Sequence, residues 1–296
     1  MRLLAEFIMR GRMQAVWMAL LGSWIPLLSQ TTLSLVSLRK GWHEGLFITF
    51  VACIPAIAGY AFGEVGITMV IATISVYLIT HATALLHRAV ASWPSTLIAN
   101  LLICILFASL FGFNETQVKQ DLLAFAEKMR ADPGASGAVS ESQALLKSEI
   151  DALTHWNIMG IAAFLFQMAS LPALLLSRWM QSMLYNPGGF KTEFHNIRLN
   201  KWVSMTCLAG YVVALNLGPD GEFWALLFAT PLVVTGFGLV HSLIAKARLG
   251  TPAIVAFYIG FVVLRPISIA LVMLLSATDV FIDYRKRIQI NRDSDS

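Results

Sequence analysis

Residues Gly66–Leu86 read GITMVIATISVYLITHATALL, a run with no Asp, Glu, Lys or Arg. As a helix rising ~1.5 Å per residue, this run spans the ~30 Å hydrocarbon core of a bilayer. Apolar runs recur on both sides of it. Met13–Leu28, Leu33–Leu38 and Gly45–Phe62 precede it; Trp93–Phe113, Trp156–Leu176, Trp202–Leu217, Phe223–Ala245 and Pro252–Ile282 follow. Of the 296 residues, 57% are hydrophobic and 13% are charged, against ~45–50% and ~25% in soluble domains. These proportions exclude a soluble globular enzyme, a disordered chain and a nucleic-acid-binding domain. They predict an all-α, polytopic transmembrane helix bundle.

The final run, Pro252–Ile282, would be ~46 Å long as one straight helix. Arg265-Pro266 interrupts it, because proline removes a backbone donor and disfavours helix at the residue before it. The expectation is a hairpin with arms Pro252–Leu264 and Ile267–Ile282. Arg2, Arg10 and Arg12 before Met13–Leu28 resemble the start of a signal peptide, but no small-x-small cleavage site follows, so a retained helix is expected.

Basic residues test the arrangement. With the N-terminus in the cytoplasm and segments alternating, 16 of the 21 Lys and Arg residues fall on the cytoplasmic side, including Arg39, Lys40, Arg88, Arg178, Lys191, Arg198 and Arg292. The short outer turns, Gly63-Glu64 and Asp220-Gly221-Glu222, are acidic or neutral. This follows the positive-inside rule and gives ten segments in five hairpins with both termini cytoplasmic. The count falls to eight if Leu33–Leu38 only dips into the membrane and the last hairpin is re-entrant.

The chain thus divides into N-terminal segments (1–113), a polar extracytoplasmic insert (114–155) and C-terminal segments with a cytoplasmic tail (156–296). The insert carries 7 acidic and 4 basic residues. It predicts two amphipathic helices, Glu115–Arg130 and Ser142–Leu153, broken at Asp132-Pro133-Gly134. Val118, Leu122, Phe125 and Met129 share one face of the first. The hairpin either caps the outer surface or forms a lid over a substrate mouth.

Enzyme signatures are missing: no Walker A loop, dinucleotide fingerprint, HExxH or GxSxG is present. Cys53, Cys104 and Cys207 are isolated in apolar runs and the six histidines lack ligand spacing, so neither a metal site nor a cofactor is expected. Ala15, Ala19 and Gly22 fall on one helix face; small residues at this spacing let helices pack closely in lipid, within the chain or against a partner membrane protein. Gly59 and Gly63 repeat the spacing.

The stretch Ser177–Lys201, SRWMQSMLYNPGGFKTEFHNIRLNK, holds the breaker-rich turn Asn186-Pro187-Gly188-Gly189-Phe190 and a short basic amphipathic helix. Together with Arg198 it is either a lipid-anchored loop or a cytoplasmic coupling element. Asp279, Asp283 and Arg287 share a face at the end of the last segment. Ionisable groups in a span are functional candidates or structural pairs. Arg265 snorkels outward at the hairpin tip or, at depth, binds an anion. Asn100, Asn157, Gln167, Asn216, His81 and His241 are expected to bond between helices. Trp93, Trp156, Trp202 and Trp224 read as interfacial anchors.

Four stretches carry a family resemblance: Ala5–Ala15 (AEFIMRGRMQA), Ser34–Gly41 (SLVSLRKG), Asn186–Leu199 with its EFHNIRL, and Asp279–Arg287 (DVFIDYRKR). With them the chain resembles the YybS-like family of bacterial polytopic membrane proteins, which is similar to the S components of energy-coupling-factor transporters. That resemblance implies a bacterial inner-membrane helix bundle, without enzymatic activity, that binds a small ligand in its outer half. Ala15 and Ala19 match the face with which such components dock a transmembrane coupling subunit. The chain departs from them in having more segments and an acidic insert. The competing expectations are a membrane scaffold or assembly protein without transport activity, and a membrane enzyme using Asp279 and Asp283 as acids.

Overall fold

The computed structural model describes residues 1–25, 27–112, 114–130, 139–265 and 267–287. Among these residues the fold is all-helical. In chain order the helices are α1 (Arg2–Arg10), α2 (Arg12–Leu21), α3 (Leu28–Lys40), α4 (Trp42–Ala61), α5 (Ile67–Val90), α6 (Trp93–Gly112), α7 (Glu115–Arg130) and α8 (Val139–Ala152). There follow α9 (His155–Tyr185), α10 (Gly189–Asn196), α11 (Lys201–Leu215), α12 (Glu222–Lys246), α13 (Gly250–Val263) and α14 (Ile267–Ile282). Five helices are long and apolar enough to cross a membrane: α4, α5, α6, α9 and Gly218–Lys246, which contains α12. By length and composition these helices, among the described residues, are compatible with a multi-pass membrane protein. Pro26, Pro266, the Asp132-Pro133-Gly134 break, the Met129 side chain and Arg292 lie outside the described residues.

The first sequence-derived segment is corrected. Met13–Leu28 is not one span: α2 stops at Leu21, a tight turn covers Gly22–Trp24, and α3 runs from Leu28 to Lys40. At 1.5 Å per residue the two helices are only ~15 and ~20 Å long, and, unlike α11, α13 and α14, neither ranks among the apolar helices of the described residues. The turn depends on Gly22, where a Cβ would lie 2.7 Å from the backbone nitrogen of Ser29. The α3–α4 turn depends on Gly41, whose φ of +93° disfavours any side chain.

Helix α3 occupies the centre, packed against α2, α4, α5 and α9. Ser29, Thr31, Thr32, Ser34 and Ser37 are buried with Leu33, Leu35 and Val36. A hydroxyl left unpaired in an apolar interior is costly, and of these five only that of Thr31 lacks a partner. Thr32 and Ser37 donate to the carbonyls of Leu28 and Leu33, one turn back. Ser34 meets Ser177 of α9 at 2.7 Å, and Ser37 meets His81 Nδ1 of α5 at 2.8 Å. Asn100 of α6 donates to Thr83 of α5 at 3.2 Å and to Ser170 of α9 at 2.8 Å. Interhelical bonds of this kind contribute about 0.6 kcal/mol each in membranes, so they fix registry more than they supply stability.

Several polar expectations resolve differently. Asn157 bonds at the very ends of two spans. It completes a capping box with Thr154 at the start of α9 and donates to Pro219 O at 3.1 Å. Asn216 bonds locally to Val212 O, and both amide atoms of buried Gln167 lack a partner. Trp93 is not an interfacial anchor: it is buried, with its ring centroid 4.3 Å from that of His87 and 6.3 Å from that of Phe190. All three cysteines are free and buried.

Candidate functional site

Both insert helices form as the amphipathic pattern dictates. The face expected to bury its apolar residues does so only in part. Val118 is buried, whereas Leu122 and Phe125 remain 40% and 46% exposed. These two side chains roof a cavity of about 720 Å³ between α7 and the bundle. Its walls come from the ends of α4 and α6 and the first halves of α5 and α9. Its floor includes Ser23 and Gln30 at the α2–α3 turn. The lining is mostly apolar, with Gln30, Thr73, Tyr77 and Asp121 as its main polar groups. A mostly apolar recess of this size with a few placed polar groups is the usual form of a small-molecule site.

Asp121 ties the roof to the bundle. Helix α5 begins after Gly66, which has no side chain to cap the exposed N–H groups of the first turn. Asp121 supplies the acceptor from α7: its Oδ2 accepts from Thr68 N at 2.8 Å, and its Oδ1 accepts from Gln117 Nε2 at 2.8 Å. A Cβ at Gly66 would lie 2.5 Å from this carboxylate. Lys128 adds an ion pair to Glu64 in the α4–α5 turn. Burial works against ionisation of Asp121, but bonds from the Thr68 side chain and backbone and from Gln117 outweigh it and hold the carboxyl below its ordinary 3.8.

The sign of the pH dependence follows. A depressed carboxyl pKa stabilises the clasp above pH 3.8, and that contribution is lost as pH falls through the folded-state pKa. Nitroxide labels at Ala124 and Phe62 should give a narrow distance distribution at neutral pH and a broad one in acid. Asp121→Ala should broaden it at every pH, the cost of losing a cap being ~0.5–2 kcal/mol. Asp121→Asn, which keeps an acceptor, should hold the clasp and remove its acid sensitivity. A distribution indifferent to all three changes refutes the clasp.

At the opposite, basic end lie most of the residues singled out from sequence. Asn186–Phe190 forms the expected turn, with Gly188 at φ +86°, and leads into α10. Phe190 N donates to Ser182 Oγ at 3.1 Å, anchoring the turn to α9. Arg178 pairs with Glu193 across it. Arg198, just past α10, reaches α14: its Nη1 lies 3.2 Å from Asp283 and its Nε 3.6 Å from Asp279.

The expected pairing of Asp279 and Asp283 with Arg287 is corrected. Arg287 donates to Ile282 O, and the partner of Asp279 is Arg285, at 3.0 Å. Helix α14 ends at Ile282, and Asp283 takes φ +53°. The chain therefore folds back and returns Arg285 to Asp279, which i,i+4 spacing does not foresee. Tyr284 N also donates to Asp279 Oδ1 at 3.0 Å, Arg285 Nη2 to Ile197 O at 2.9 Å, and Lys246 Nζ to Arg285 O at 2.8 Å. Burial lowers the pKa of Arg285 below that of an ordinary guanidinium, and Asp279 opposes the shift. Asp279 is fully engaged in joining α14 to the α10–α11 link.

Ala15 and Ala19 are buried against the core that includes Leu33, Ile48 and Met180, and Gly22 sits against Ser29. The small-residue face is covered by the chain itself and presents no docking surface in this conformation. Arg265 is exposed at the α13–α14 turn and forms no ion pair among the described residues. No group of three His, Cys, Asp or Glu side chains among the described residues is placed to hold a metal.

Sequence inspection missed Asp121, Tyr77 and Gln30. One signal was available: the cap of this long helix, Gly66, has no side chain to accept from the first-turn N–H groups, which leaves room for an acceptor from elsewhere. Comparison with protein-family models, curated proteins and solved structures finds no match to this chain.

Proposed function

We propose that this chain is a non-enzymatic, multi-pass protein of the bacterial inner membrane that holds a small, largely apolar ligand beneath α7. This is the role of a transporter's substrate-binding component. The observation that supports it is the cavity of about 720 Å³ whose roof is a separate amphipathic helix held by the Asp121 clasp, the Lys128–Glu64 ion pair and buried Val118. The clustering of short basic connectors at the other end supports placing that end in the cytoplasm and the roofed cavity outside. In this reading α2 and α3 form a re-entrant hairpin entering from the cytoplasmic side, and α4, α5, α6, α9, α11, α12, α13 and α14 cross. Since the Ala15–Ala19 face is covered, a coupling partner would meet the basic end at the turn Asn186–Phe190 and α10.

Thermal melts of the purified protein with a panel of small apolar and amphipathic metabolites test the reading. A ligand present at a hundred times its Kd stabilises by about 2.7 kcal/mol, an easily read shift. Ala72→Phe, which fills the cavity, should abolish the shift while leaving the unliganded melt nearly in place. The absence of any shift across the panel, or a shift that Ala72→Phe leaves intact, refutes the proposal.

A further inference from the structure

A second recess lies at the basic end, unrelated to the roofed cavity. It measures about 860 Å³ and is walled by the second half of α9, by α10, α12 and α13. Leu175, Trp179, Phe194, Phe237 and Tyr258 make its lining predominantly apolar, and no carboxylate lines it. Its rim carries Arg2, Lys191 and His195. Lys191 is exposed and has no carboxylate partner among the described residues. Arg2 shares its charge with Glu6 at 2.9 Å, and the nearby Glu193 is engaged by Arg178. Burial, then the charges of Lys191, His241 and Arg285, lowers the pKa of His195 from 6.5. Its ring offers a hydrogen bond, while Arg2 and Lys191 offer charge.

The groove's walls settle what fits it. Helix α13 buries none of its own residues and is apolar enough to face lipid along its length. The groove thus borders the bilayer where α10, a short amphipathic helix with Phe190 and Phe194 on one side, closes the ends of the spans. An apolar slot among membrane helices with cations at its mouth matches a single molecule that has a hydrocarbon tail and an anionic head. Basic pockets between helices on the cytoplasmic side take such head groups.

We propose that this groove is a binding site for an anionic phospholipid, with an acyl chain lying along α9 and α12 and the phosphate at Lys191 and Arg2. Native mass spectrometry of the full chain, released from micelles containing equal phosphatidylglycerol and phosphatidylcholine, tests it. The expected result is one retained phosphatidylglycerol in preference to phosphatidylcholine. The Arg2→Gln/Lys191→Gln variant should lose about fivefold of that preference per charge removed. Both residues sit on the surface, so this variant is expected to keep the melting temperature of the unaltered chain. Val234→Trp, which fills the slot, should lower retention of both lipids, which separates tail binding from a phosphate site alone. Equal retention of the two lipids by the unaltered chain, or retention unchanged in both variants, overturns the proposal. Thermal shifts from ligands of the roofed cavity should survive both variants, so failure here is distinguishable from failure of the functional reading.

Discussion

Asp279→Ala is expected to destabilise the protein by about 3–5 kcal/mol, the cost of breaking a buried ion pair from one side. Asp279 is 2% exposed and Arg285 is 9% exposed. The carboxylate accepts from Arg285 at 3.0 Å and from Tyr284 N at 3.0 Å, and lies 3.6 Å from Arg198. Its removal leaves Arg285 buried with only the Ile197 carbonyl, while its Nε already lacks a partner. Replacing both residues, Asp279→Leu with Arg285→Met, should recover most of the loss, because an apolar pair of similar volume carries no desolvation cost. SDS-induced unfolding in mixed micelles measures both. A loss under about 1 kcal/mol in the single variant would show that water reaches the pair, as at exposed sites.

Ala19→Leu should cost about 1–3 kcal/mol through overpacking. Ala19 is fully buried, and its carbonyl accepts from Ser29 Oγ at 2.9 Å across the α2–α3 turn. A branched side chain there must push α3 away from α2, and α3 is the element every neighbouring helix packs on. The measurement separates two readings of the small-residue face. Internal packing predicts a lower melting temperature for the isolated protein. A docking face predicts an unchanged melt and loss of a copurifying partner.

The two variants also show what the sequence makes legible. Long apolar runs such as Gly66–Leu86 and Trp93–Phe113 are read directly as α5 and α6, because length and absence of charge are local properties. The insert helices are equally local, since Val118, Leu122 and Phe125 repeat at helical spacing. Helix α3 resists such reading. Its serines and threonines make it look like a polar link with a short apolar piece, and only the hydroxyl partners in α5 and α9 explain its burial. Arg285 was hidden for a similar reason: spacing along one helix does not anticipate a left-handed residue at Asp283 that turns the chain back. The roofed cavity depends on where Asp121 meets Thr68, residues 53 positions apart. No window of sequence contains that contact.

Helix α9 is 31 residues long, with Pro172 near its middle. Its first half walls the roofed cavity and its second half walls the basic-end groove. Proline is the usual place for a long helix to bend. The two recesses thus share one continuous helix, with a residue that donates no backbone hydrogen bond, Pro172, at the boundary between them. A change to α9 near Pro172 would therefore be felt in the walls of both recesses, whereas changes farther along either half would reach one alone.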